Sequence, residues 1–163
     1  MRNFLSDIYA GFFKNIEKST DKVLSDMFPR IGFLNETNLR ELSEIIKRPI
    51  KNPALFEQAL SHRSSLTSER SSLSNERLEF LGDALLGFVS AEYFFLHHRT
   101  EQEGELTKLR SWFVQSATLA YIAIQLKLDQ YLQLSPSAKQ SLKSGNTKIL
   151  ADALEAVVAA VYL

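Results

Sequence analysis

Five carboxylates are spaced so that they could act together. In the segment Asn75-Glu76-Arg77-Leu78-Glu79-Phe80-Leu81-Gly82-Asp83 a helical reading puts Glu76, Glu79 and Asp83 at i, i+3 and i+7. At about 100° per residue they share an arc of roughly 60°. Like charges one turn apart repel, so an isolated helix gains nothing from such a stripe. A divalent cation is one group that would neutralise it. The other two acids, Asp152 and Glu155, lie in the segment 149–163, which is otherwise apolar on nearly every face. That pattern marks a buried helix, and a buried carboxylate is costly unless paired, protonated or bound to metal. Beyond Lys148 at its start this helix carries no basic residue. The two acids therefore need a partner from elsewhere, and a cation shared with the first stripe would satisfy both sets.

Oxygen donors without His or Cys favour Mg²⁺ or Mn²⁺ over zinc. Such centres activate water and stabilise the leaving oxygen in phosphodiester hydrolysis. The constellation is Glu79, Asp83, Asp152 and Glu155, with Glu76 and Glu103 as outer members. Each member also has a plainer reading. If Leu78, Leu81, Leu85 and Phe88 form the core face, the stripe is a solvated acidic face, and Glu76 complements the helix N-terminus. Asp152 and Glu155 could bond to an arginine or to backbone. Glu103 fits position N3 of a capping box in Thr100-Glu101-Gln102-Glu103. Phe80 falls beside the acidic arc, about 130° from the centre of the core face; it marks an interface or packs on a neighbouring element of the same chain. Gly82 costs helix stability and signals a close backbone approach. His97 and His98 are adjacent and diverge on a helix, His62 is the only other histidine, and there is no cysteine, which argues against zinc. Lys108, Arg110, Lys143 and Lys148 are suited to phosphate contacts or are ordinary surface charge.

The elements that must position these residues are helices. Glycine (6) and proline (4) are scarce, and helical periodicity dominates, so the chain reads as all-α. Helices are expected over 3–17, 20–28, 37–47, 53–62, 75–97, 101–115, 117–127, 137–143 and 148–163, with loops at the Ser-rich 63–74 and at 143–148. The first 41 residues read as a helical extension to a domain covering 42–163. With 163 residues, 45% hydrophobic and 23% charged, the composition is that of a globular domain with a sizeable core. A net charge of zero means that any nucleic-acid surface must be local. There is no apolar run long enough for a membrane span and no signal-peptide pattern, so a cytoplasmic location is expected.

Four blocks resemble the ribonuclease III family. Asn75 to Leu86 is similar to its signature helix, and Ala59-Leu60-Ser61-His62-Arg63-Ser64 to the segment before it. Glu103 to Ser111 looks like the next helix, and Ile149 to Ala156 like the second acidic motif. The blocks fall in the family's order and spacing over roughly 42–163. The resemblance implies an all-α, homodimeric, Mg²⁺-dependent endonuclease domain acting on double-stranded RNA, with roles in RNA processing, ribosomal RNA included. By position, Glu79, Asp83, Asp152 and Glu155 would hold the ion, with Asp83 and Glu155 catalytic. Glu76 and Glu103 would be secondary acids, and Phe80 would enter a socket on the partner subunit. Each subunit would cut one strand, leaving 5′-phosphates and short 3′ overhangs. Bacterial members usually continue into a double-stranded-RNA-binding domain; here the sequence stops at Leu163, which points to a truncated chain. The alternative within the fold is a non-catalytic RNA-binding or ribosome-associated dimeric module.

Overall fold

Side-chain caps and prolines set the helix starts. In the computed structural model, which describes residues 23, 24 and 26–163, Asn35 accepts from the Asn38 N–H and Asn38 reciprocates, opening α1 (Glu36–Ile46). Lys47, left-handed at φ 54°, closes it. Asn52 and Pro53 open α2 (Pro53–Ala59), and Ser135 and Pro136 open α6 (Pro136–Lys143). Between them run α3 (Glu76–His97), α4 (Glu103–Val114) and α5 (Ser116–Gln125), and α7 (Lys148–Tyr162) ends the chain. The described residues contain no strand, only an isolated parallel bridge between Ser61 and Gln133. The expected helix 3–17, and residues 20–22 and 25 of the one expected over 20–28, lie outside the described residues.

Three local expectations are corrected. Helix α2 stops at Ala59 rather than 62, because the Leu60 carbonyl accepts from Gln133 N at 2.8 Å and His62 N donates to Gln133 O at 3.1 Å. The segment 63–74 is not an open loop but two 3₁₀ turns, Arg63–Ser65 and Ser68–Leu73. Their serines fold back on the chain: Ser65 Oγ donates to His62 O and Ser71 Oγ to Ser68 O. The buried Gln58 amide clamps the end of this segment through Ser72 O and Ser74 O. The capping box expected at Thr100 does not form: Gln102 is the N-cap, and Glu103, at the first helical position, accepts from Thr107 Oγ1 at 2.9 Å.

The core is laid around α7, as its apolar sequence requires. Ile149, Leu150, Ala153, Leu154, Ala156 and Val157 are buried there, and α3 and α5 pack on it from either side. Helix α3 presents Leu78 and Gly82 as buried residues, with Leu81 and Leu85 partly buried. Phe88, expected on the core face, is 66% exposed. The buried stripe of α3 advances in steps of four through Leu78, Gly82, the partly buried Leu86 and Ser90, and Phe88 lies about 160° from Ser90 on the helix, facing away from it.

A buried acid that the sequence reading passed over ties the N-terminal segment down. Glu57 on α2 has no exposed surface. It accepts from the N–H groups of Ile31 (2.7 Å), Gly32 (2.9 Å) and Leu34 (3.3 Å), and Arg30 pairs with it at 2.9 Å. Gly32 turns the chain to allow this, at φ +88°. Multiple donors to one carboxylate are what makes such burial tolerable.

Candidate metal centre

Gly82 lets α3 and α7 touch. A Cβ at this position would lie 2.9 Å from Glu155 Cα and closer still to the Glu155 carbonyl carbon and oxygen. The close approach expected from the sequence is therefore against the helix that carries the second acidic pair. It brings Glu79, three residues before Gly82 and on the same helical face, to the side of Asp152 and Glu155. One carboxylate oxygen from each of Glu79, Asp152 and Glu155 lies within 4.8 Å of the other two, and all three residues are half-buried.

Asp83, on the next position of α3, is exposed and outside this triad. Its charge still reaches the site. Glu155 is pushed up to about 7, first by burial and then by the charges of Asp83, Glu79 and Asp152. Glu79 is also raised, by burial and then by Asp152. These acids resist ionising together, which is the condition a cation relieves.

The partner of Asp152 comes from its own helix, which corrects the sequence expectation that it must come from elsewhere. Lys148 Nζ lies 2.6 Å from Asp152 Oδ1, one turn on, and 4.0 Å from Glu79 Oε1. Hydrogen bonding to Asp152 raises the Lys148 ammonium above its ordinary range. His62 also borders the centre: burial lowers its imidazole, while the charge of Asp152 opposes that shift. The signal for His62 was its place in the block before the signature helix, which gave it no role.

The outer residues separate. Glu76 is taken by Arg63 at 3.2 Å and Ser74 Oγ at 3.1 Å, so it braces the 63–74 turns at the edge of the site. Glu103 stands exposed at the start of α4 and outside the triad. Lys108 pairs with Glu105 at 2.7 Å on the exposed face of α4; Arg110 is exposed there too, and Lys143 is exposed at the end of α6. Phe80 is 80% exposed. Beside it opens a groove of about 580 Å³ walled by Leu24, Met27, Phe28, Leu78, Leu81 and Leu163.

The donor set fits Mg²⁺ or Mn²⁺. All three triad ligands are oxygens, and an octahedral ion with bonds of about 2.0–2.1 Å spans ligand oxygens up to about 4.2 Å apart. Three donors on one such ion include at least two cis pairs about 2.9 Å apart, so flexible carboxylates spaced within 4.8 Å would close inward around it.

The class that this architecture defines is a helical nuclease-domain fold. It superposes on the nuclease domain of ribonuclease III from Campylobacter jejuni with a TM-score of 0.70 and 36% identity, over 77% of this chain and 85% of that one. That structure is described as showing flexibility in a region involved in dimer formation. A family profile described as ribonuclease-III-like matches residues 52–163. Ribonuclease 3 of Hahella chejuensis is 41% identical over 125 residues, covering 77% of this chain and 53% of that protein. Ribonuclease 3 of Pasteurella multocida is 43% identical over 129 residues, covering 77% and 54%. The chain belongs to the ribonuclease-III-like family. It spans about half the length of the curated relatives it matches.

Proposed function

We propose that this domain is a Mg²⁺-dependent endoribonuclease that hydrolyses phosphodiester bonds of double-stranded RNA. The observation that carries the reading is the convergence of Glu79, Asp152 and Glu155 across the Gly82 contact. These three residues would hold the ion, with Mn²⁺ as a substitute, and Asp83 would add its charge from the exposed edge. When bound, the ion supplies Lewis-acid activation of water and neutralises charge on the departing 3′ oxygen. Glu155, pushed up to about 7 in the metal-free protein, gives its proton up when that charge arrives.

The substrate class follows from family membership and from charge. Arg110 and Lys143 are exposed and Lys108 is only surface-paired, so all three are open to phosphates. Duplex RNA would be read by backbone shape and 2′-hydroxyls rather than sequence. Binding would fall steeply with salt. In a homodimer, Phe80 of each subunit would enter the groove of the other, and each subunit would cut one strand to leave 5′-phosphates and short 3′ overhangs. Processing of cellular RNA, ribosomal RNA included, is the biological role this chemistry suits.

The test is cleavage of a labelled RNA duplex with and without Mg²⁺, beside Glu155→Gln. The parent should cut only with the ion, and the variant should fold but not cut. A variant that cleaves at the parent rate refutes the assignment. Binding without product from the parent would instead make it a non-catalytic RNA-binding module.

A further inference from the structure

Lys148 is the only basic residue among the described ones within ion-pair distance of the carboxylate triad. It occupies the first position of α7, and its side chain runs along the first turn to Asp152. Its ammonium reaches acids of both helices, 2.6 Å from Asp152 and 4.0 Å from Glu79. Yet 67% of the side chain is exposed, so the ammonium has a way out into solvent on four flexible methylenes.

We propose that Lys148 is a displaceable counter-cation: its ammonium holds Asp152 and Glu79 in the metal-free protein and leaves them when a divalent ion enters. The inference rests on the reading of Glu79, Asp152 and Glu155 as metal ligands. An ion bound to those oxygens at about 2.0–2.1 Å would put two positive charges within a few ångströms of the ammonium. Both cations cannot keep the same Asp152 oxygen at full strength, and the divalent charge wins at a three-carboxylate centre. The ammonium then swings outward. Before that event, Lys148 keeps two mutually repelling acids together and so preserves the shape of the centre. The cost is a weaker apparent affinity for the ion, because every binding event must first break the lysine contacts. A residue with the ordinary appearance of a phosphate contact thus acts in this chain as a threshold on metal loading.

Isothermal titration of the 163-residue chain with Mg²⁺, without RNA and at low salt, tests this against Lys148→Met and Lys148→Gln. Both variants should bind Mg²⁺ about fivefold more tightly, the scale of an exposed ion pair converted to a dissociation constant. Both should melt at a lower temperature without metal and gain more from adding it. The two substitutions differ in polarity, so a packing defect peculiar to one would not appear in both. Affinity equal to or weaker than the parent's in both variants overturns the proposal while leaving the ligand assignment standing. A parent chain that binds neither Mg²⁺ nor Mn²⁺ removes the ligand assignment itself, and the proposal with it.

Discussion

Substituting Gly82 by alanine isolates the contact on which the centre depends. The added methyl carbon would lie 2.9 Å from Glu155 Cα, against 3.4–4 Å for ordinary contact, and nearer still to the carbonyl atoms. The obstructing atoms are backbone within a buried helix, so no side chain can turn aside. The nearer carbonyl atoms set the requirement, so helix α7 must shift by more than about 1 Å, and it carries the packing against α3 and α5 with it. Overpacking of this kind costs about 1–3 kcal/mol, and rigid neighbours place it at the upper end. Alanine returns about 1 kcal/mol of helix propensity. The net loss is then about 2 kcal/mol, equivalent to about 6 °C in Tm for a domain of this size. Gly87 is the internal control: it lies on the same helix, and a Cβ there meets nothing within 4 Å. Gly87→Ala should keep or raise Tm. Circular-dichroism melts of the three proteins, paired with Mg²⁺ titration, read the outcome. The Gly82 variant should also bind Mg²⁺ more weakly, because Glu155 moves with its helix. If Gly82→Ala melts with the parent and binds Mg²⁺ equally well, the helix contact does not position the acids.

Other consequences are measurable in the same way. Burial and the neighbouring acids push Glu155 up to about 7 in the fold, from an ordinary 4.5, so the folded state holds its proton where the unfolded chain has lost it. Stability of the metal-free protein should therefore fall as pH rises between about 4.5 and 7. Glu155→Gln should flatten that decline in Tm, and a decline of unchanged slope would show that Glu155 is not its source. Phe80→Ala should shift sedimentation from dimer to monomer while Tm changes little, because the ring buries little within its own chain; an unchanged dimer would mean that the exposed ring is not its contact.

Much of this arrangement is legible in the residues. The nearly uniform apolarity of 149–163 required a central helix, and the two acids on it required compensation. Gly82 announced a close approach, though not which helix would make it. Asn52-Pro53 and Ser135-Pro136 fixed helix starts through local caps. What failed was decided across distance. The pairing of Leu60 and His62 with Gln133 shortened α2, and Gln58 ordered the serines of 63–74 from fourteen and sixteen residues away. Phe88 has the right period for a core position beside Leu81 and Leu85, but the buried stripe of α3 advances in steps of four and turns away from it. Lys148 and Asp152 stand at i, i+4, a spacing visible in the sequence. Phosphate contact and ion pairing compete for the same lysine, and only the proximity of Glu79 favours the second. Equally, i, i+4 spacing put Asp83 with Glu79, while the helix crossing left it at the exposed edge.

The Glu57 clamp bears on where this domain can be cut. The profile match begins at residue 52, and a shortened version designed on that match, or on the start of α1, would discard Arg30, Ile31, Gly32 and Leu34. The carboxylate would lose all four of its donors at once. An uncompensated buried charge costs about 3–5 kcal/mol, a large part of the margin by which domains of this size stay folded. The working N-terminal limit of the folded unit thus lies before residue 30, more than twenty residues upstream of the start of the profile match.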